Sequence, residues 1–176
     1  MQFDLNKSIT ILSKTPQVLE TLLSNIHQDW THNSEGENTW SVFDVLGHLI
    51  HGEKTDWIVR SEIILSSKEN KTFEPFDRFA MITDKPNKIA QDLLEEFAKL
   101  RAENLEKLKA FKLTESDLSK KGIHPELGIV TLKELLSCWV VHDLNHLSQI
   151  SRVMAFQYKT EVGPWEKYLS ILHKKA

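Results

Sequence analysis

Apolar residues in this chain recur at intervals of three and four, not two, and that spacing predicts helices along most of its length. The first stripe is Val18, Leu19, Leu22, Leu23 and Ile26, on a helix expected over 15–29. Thr15 can cap it, with Pro16 at the first helical position, where a missing N–H costs nothing. A shorter turn over 5–13 is expected to join it at an angle. Residues 32–39 are polar, contain Gly36 and read as a loop. Ser41 then caps a second helix, with Asp44 as the capping acid and Trp40 placed to staple onto Val45. Its stripe runs from Val45, Leu46, Leu49 and Ile50 through Trp57, Ile58, Ile63 and Ile64, and predicts an end near Ser66-Ser67.

The segment 68–88 holds Pro75, Pro86 and the aromatic residues Phe73, Phe76 and Phe79. It exceeds an ordinary connection, so it is expected to cover something or to contain short helical turns. Asn87 is the expected cap of a third helix, with Ile89, Leu93, Leu94, Phe97, Leu100, Leu105 and Leu108 on one face and salt-bridge-spaced charges on the other. A second covering loop is expected over 113–130, which contains Gly122, Pro125 and Gly128. Thr131 and Glu134 form a capping box that opens a fourth helix, striped by Leu132, Leu135, Leu136, Trp139, Val140, Leu144, Leu147 and Ile150 and running to about Phe156. Gly163-Pro164 restarts a short C-terminal helix bearing Trp165, Tyr168, Leu169 and Leu172. Four main helices with long crossovers on two connections suit an all-α, four-helix bundle. No linker or composition break divides residues 1–176, which points to a single domain.

Composition narrows the class. Hydrophobic residues make up 40% and charged residues 27% of 176, with only 6 Gly and 5 Pro, as in a folded protein. A net charge of -3 argues against a nucleic-acid or anionic-membrane footprint. There is no apolar run long enough for a membrane span and no signal-peptide pattern, so the cytoplasm is the expected compartment. A lone Cys138 excludes an internal disulfide and a cysteine-built zinc cluster, and it reads as a packing residue.

Histidines carry the chemistry. His142 and His146 are four apart on the last long helix, which puts both imidazoles on one face, where they can converge on one ion. His48 and His51 lie on the second helix, where Leu49 and Ile50 place at least one of them near the core. Two histidines from one helix and one from another give a three-nitrogen site with positions left open for water or substrate. Neutral imidazoles bind zinc, nickel or iron well, so ligand type alone does not select the ion. Ligand imidazoles usually donate their second N–H, and Asp143, Asn145, Glu53 and Gln149 are the candidate partners. Trp57 or Trp139 is placed to line a pocket. The same spacing also fits core or surface histidines that bind nothing. Residues 142–146 read His-Asp-Leu-Asn-His, without the Glu of a zinc protease, so no catalytic base is identified. Phosphate-loop and dinucleotide glycine motifs are absent, and Gly47 and Gly52 are better explained by close helix packing.

The order of these motifs resembles the DinB-like superfamily, which includes the YfiT-like metal-dependent hydrolases and the bacterial thiol transferases. The resemblance rests on Trp40-Ser41, Val45-Leu46-Gly47-His48-Leu49, Gly52-Glu53, Thr131-Leu132 with Glu134-Leu135-Leu136, and His142-Asp143-Leu144-Asn145-His146 with Gln149-Ile150, and it extends to the Val162-Gly163-Pro164-Trp165 tail. It implies an up-down-down-up bundle, often dimeric, and a metal triad at His48, His142 and His146 holding zinc, nickel or iron. His51 is then a pocket residue or a neighbour of the ligands. The implied activity is transfer of a low-molecular-weight thiol to an electrophile, the ion lowering the thiol pKa. Activation of water by the same ion, in a hydrolase, is the alternative. A metal-binding structural or interaction protein without turnover is a third class. A small molecule is the implied partner, with no nucleic acid and no membrane.

Overall fold

Asp4 accepts a hydrogen bond from the Lys7 N–H at 2.9 Å and starts α1 (Leu5–Leu23). The structure, a computed structural model, describes residues 1–83 and 88–173. Helix α1 corrects the reading of residues 5–29: one continuous helix includes Thr15 and Pro16 in its interior and ends at Leu23, before Asn25 takes a left-handed φ of 58°. An interior proline removes the bond to the carbonyl four residues earlier, here that of Leu12. The Arg101 guanidinium donates to that carbonyl at 2.8 Å, so the group freed by Pro16 is satisfied from another helix. A single turn, α2 (Asp29–His32), follows.

The reciprocal bonds of Ser41 and Asp44 open α3 (Val42–Thr55) as its capping box requires. The predicted second helix is bent where Asp56 adopts φ -110° and ψ -82°, and α4 (Trp57–Leu65) continues beyond it. Hydrogen bonds from Asp56 N–H to Gly52 and from Arg60 N–H to Asp56 hold the two pieces together. The long connection then makes one helical turn, α5 (Ala80–Thr83). The expected Asn87 cap lies outside the described residues. Helix α6 (Ala90–Ala110) begins after Ile89, whose N–H donates to Asp92 at 2.9 Å.

Residues 113–130 are more ordered than a loop. They form α7 (Glu115–Leu118) and an antiparallel hairpin, β1 (Lys121–His124) with β2 (Gly128–Thr131). Four-residue strands are too short for period-2 alternation to stand out. Thr131 and Glu134 cap α8 (Leu132–Phe156) as their spacing predicts. The C-terminal element is two 3₁₀ turns, Gly163–Tyr168 and Ser170–Leu172, in which only Leu172 is buried. Among the described residues, no helix is long and apolar enough to cross a membrane.

Helices α1, α3 with α4, α6 and α8 form a four-helix bundle in which α1 and α3 each pack on α6 and α8. Residue pairings give the directions. Leu12 meets Arg101 while Glu20 meets Gln91, so α1 and α6 are antiparallel. His48 meets His142 while Glu53 meets Trp139, so α3 and α8 are antiparallel. Leu12 shares a core cluster with Leu135 and Trp139, whereas Leu19 and Leu23 share another with Ile150 and Val153, so α1 and α8 are parallel. The order is therefore up, down, down, up.

The crossover after α4 is tied to the hairpin. Phe73 N–H donates to the Ile123 carbonyl, and Ile123 N–H donates to the Lys71 carbonyl, both at 2.9 Å. Phe73 is buried beneath β1, and a Cβ at Gly122 would lie 2.6 Å from its ring and 2.9 Å from Ile64. Gly122→Ala is expected to lower stability by about 1–3 kcal/mol through overpacking. Urea unfolding, with proteolysis of the hairpin as a local probe, checks this.

Candidate metal centre

His48 on α3 and His142 and His146 on α8 come together in the bundle wall. The Nε2 atom of His142 lies 3.1 Å from Nε2 of His48 and 3.1 Å from Nε2 of His146. One ring nitrogen from each of the three residues falls within 4.8 Å of the others. Their helix positions explain the convergence: four residues of α8 return to one face, and antiparallel α3 brings His48 opposite that face.

Burial, then the neighbouring His146, His48 and Arg101, push the His142 pKa down to about 2. Burial also lowers that of His146, against the opposing hydrogen bond to Gln149 and charge of Asp143. His142 and His146 are therefore neutral at neutral pH. The His146 Nδ1–H donates to Gln149 Oε1 at 2.8 Å, leaving a lone pair on Nε2. The donor set suits a divalent cation. Bonds of roughly 2.1 Å would separate ligand nitrogens by about 3.0 Å on an octahedral face or about 3.4 Å in a tetrahedron. The observed 3.1 Å lies in that range. His142 Nδ1 is buried without a hydrogen-bond partner among the described residues.

Glu53 and Asp143 make no described hydrogen bond to the imidazoles. They bond Arg101, which is 1% exposed at the centre of the bundle. Its Nε and Nη2 donate to Glu53 Oε1 at 3.1 and 2.8 Å. Its Nη1 and Nη2 donate to Asp143 at 2.6 and 2.9 Å, and Nη1 also reaches Leu12. All five donors of the guanidinium are thus used. Asn104 donates to Glu53 Oε2 at 3.0 Å and Trp139 Nε1 to Glu53 Oε1 at 3.1 Å. Burial works against the Arg101 charge, but the bonds and charges of Asp143 and Glu53 outweigh it and raise the pKa.

The remaining candidates separate by position. Trp57 stacks on Trp139 at 5.7 Å and meets the His142 ring edge-on at 5.0 Å. Gly52 leaves room for it: a Cβ there would lie 3.3 Å from the Trp57 indole nitrogen. Asn145 and Trp57 line the cavity beside the histidines, whereas fully buried Trp139 lies behind it. His51 packs on Phe76 at 4.9 Å and borders a small gap between α3 and α6.

That cavity has a volume of about 770 Å³, within the usual range of small-molecule sites. Phe73, Phe76 and Phe79 from the crossover form one wall, and the hairpin forms another. Asp56 and Arg60 also line it, and sequence reasoning missed both, as it missed Arg101 and Asn104. A signal existed for Arg101, which falls on the core stripe between Phe97 and Leu105. None existed for Asp56, which owes its position to the helix bend.

The family model of the DinB superfamily matches residues 11–150. The fold is similar to the solved structure of YfiT from Bacillus subtilis, with a TM-score of 0.71 and 21% identity, over 90% of this chain and 87% of that one. YfiT is described as a probable metal-dependent hydrolase with an unusual four-helix bundle topology. No curated protein matches the chain.

Arg101→Met removes the cation and leaves two buried carboxylates uncompensated, with an expected loss of about 3–5 kcal/mol in urea unfolding. A second expectation concerns pH. The unfolded chain binds protons at histidine below 6.5, but folded His142 resists protonation until about pH 2. Chelator-treated protein should therefore lose about 1 kcal/mol per pH unit as pH falls below the ordinary histidine pKa, read from urea midpoints at successive pH values.

Proposed function

We propose that this chain, which belongs to the DinB superfamily, is a metal-dependent enzyme that transfers a low-molecular-weight thiol to an apolar electrophile. The observation that carries the reading is the convergence of three imidazole nitrogens on one point beside an aromatic-walled cavity. His48, His142 and His146 are the ligands, and zinc, nickel or iron is the ion. A divalent cation held there supplies a Lewis acid that lowers the pKa of a thiol or water. The chain's own contribution is orientation and exclusion of water. Gln149 sets the tautomer of His146, Trp57 packs against the edge of His142, and Phe76 and Phe79 offer an apolar surface to the electrophile.

Hydrolysis is the second reading, favoured by the likeness to YfiT, with water in place of the thiol. In either case the partner is a small molecule, not nucleic acid or membrane. The proposal takes 1–176 as one domain acting in the cytoplasm as a homodimer.

Protein purified without an affinity tag is expected to carry about one divalent ion per three-histidine site by elemental analysis. His48→Ala or His142→Ala should remove it. The loaded protein should accelerate consumption of bacillithiol, mycothiol or glutathione by a chlorinated aromatic, and both variants should return the rate to background. Background rates with all three thiols, alongside turnover of esters or amides without thiol, would replace transfer by hydrolysis.

A further inference from the structure

The cavity beside the histidines holds a buried cation that neither reading of the chemistry uses. Arg60 on α4 is 6% exposed and lines that cavity. A buried guanidinium ordinarily spends its donors, as Arg101 does. Arg60 spends only part of them. Its Nη2 donates to the Glu74 carbonyl at 3.3 Å, and its Nε lies 2.9 Å from Asp56 Oδ1. The Phe73 ring lies against the head, 5.1 Å from Cζ. Nη1 has no hydrogen-bond partner among the described residues, yet it is not sealed off as Asp56 Oδ1 is. Two N–H groups of a guanidinium held on three sides therefore open onto the cavity.

Helix geometry ties Arg60 to the centre. Trp57, whose ring meets His142 at 5.0 Å, stands three residues earlier on the same helix face, so Arg60 follows about 4.5 Å along the axis. The crossover brings a second cation. Arg78 is exposed, lines the same cavity and has no partner among the described residues. It follows Phe76 by two residues, and the Phe76 ring meets His48 edge-on at 5.4 Å. The acids lining the cavity are Asp56, Glu126 and Glu134. Glu134 is engaged by the Thr131 N–H and hydroxyl, and Glu126 belongs to the hairpin turn. Neither forms an ion pair with the arginines among the described residues.

We propose that Arg60, with Arg78 beside it, binds a carboxylate carried by the small molecule that enters the cavity, an inference that rests on reading the site as a metal-dependent enzyme. A carboxylate is planar and accepts N–H donors in its own plane, as the free edge of Arg60 offers them. Its second oxygen is left for Arg78. Three acids face two arginines, which suits a singly charged carboxylate better than a phosphate with nearly two charges. Phe73, Glu74 and Asp56 fix the guanidinium before anything binds, so little side-chain freedom is lost on binding. The contact also discriminates. A primary amide of the same shape brings no charge, and it turns an NH2 group toward a donor. Arg60 would thus make an otherwise aromatic-walled cavity selective for carboxylated substrates.

Matched probes test this and identify the carrier. 3-Mercaptopropionate against 3-mercaptopropionamide puts the group on the thiol, and 4-chloro-3-nitrobenzoate against 4-chloro-3-nitrobenzamide puts it on the electrophile. Dissociation constants are measured by isothermal titration on the full chain loaded with cobalt(II), and for the aromatic pair on the metal-free chain as well. The quantity read is the preference for carboxylate over amide. In at least one pair Arg60→Gln should reduce that preference about tenfold at an unchanged cobalt stoichiometry. The pair that responds names the substrate that carries the carboxylate. A preference unchanged by Arg60→Gln in both pairs overturns the inference, because the carboxylate is then held elsewhere, the ion included. Arg78→Ala should reduce the same preference about threefold, and no change there removes Arg78 from the site. If the wild type takes up no cobalt, the three-histidine reading falls, and the aromatic pair on the metal-free chain decides the arginine site by itself. If Arg60→Gln does not fold by circular dichroism, Arg60→Lys decides. It keeps the charge but lacks the Nη1 arm, so it should lower the preference severalfold, and an unchanged preference refutes the assignment.

Discussion

The bundle is organised around one buried cation. Arg101 lies between two apolar clusters, one containing Leu12, Leu105 and Trp139 and the other Leu19, Phe97 and Ile150. Its bonds reach Leu12 on α1, Glu53 on α3 and Asp143 on α8 from its own place on α6, so a single guanidinium touches all four main helices. Buried ion pairs contribute little net stability, because desolvation consumes most of the Coulomb gain. They are strict about geometry, because each unused donor would be costly. Sliding any helix by one turn would leave a donor or a carboxylate unsatisfied. The arginine thereby sets the axial alignment of α3 against α8 on which the meeting of three imidazoles depends. Asp143 directly follows His142 in sequence, so the anchor in the core and the ring at the cavity are adjacent residues of one helix.

Charge links this layer to the centre. One arginine and two carboxylates carry one net negative charge within the bundle, and the neutral His142 and His146 add none. A divalent ion at the histidines would therefore sit beside a fixed countercharge. The arginine alone would repel the ion, and its contribution to the lowered pKa of His142 is the same effect acting on a proton. The carboxylates answer both.

The features legible in the sequence were those encoded over short spans. Ser41 with Asp44 and Thr131 with Glu134 are three residues apart, and His142 with His146 four apart, so local geometry alone relates them. The long-range features were harder to see. Arg101 lies in a run dense with Glu and Lys and reads as surface charge, although Phe97 and Leu105 put it on the core stripe. Its partners are 42, 48 and 89 residues away. The hairpin takes its stability from Phe73, packed under Gly122 from a different segment, not from alternation within its strands. Asp56 falls inside a continuous apolar stripe, and only the bend turns it toward the cavity.

The proline of α1 is coupled to this centre through the backbone. Pro16 leaves the Leu12 carbonyl without its helical donor, and Arg101 supplies the replacement. Residues 16 and 101 are thus not free to vary independently. Restoring an N–H at 16 would create a competitor for a carbonyl already in use. Removing the arginine while the proline remains would orphan a main-chain group as well as two carboxylates. A chain that changed one of these positions would need to change the other to keep its helix satisfied, so the two form an epistatic pair that a comparison of their helix propensities would never reveal.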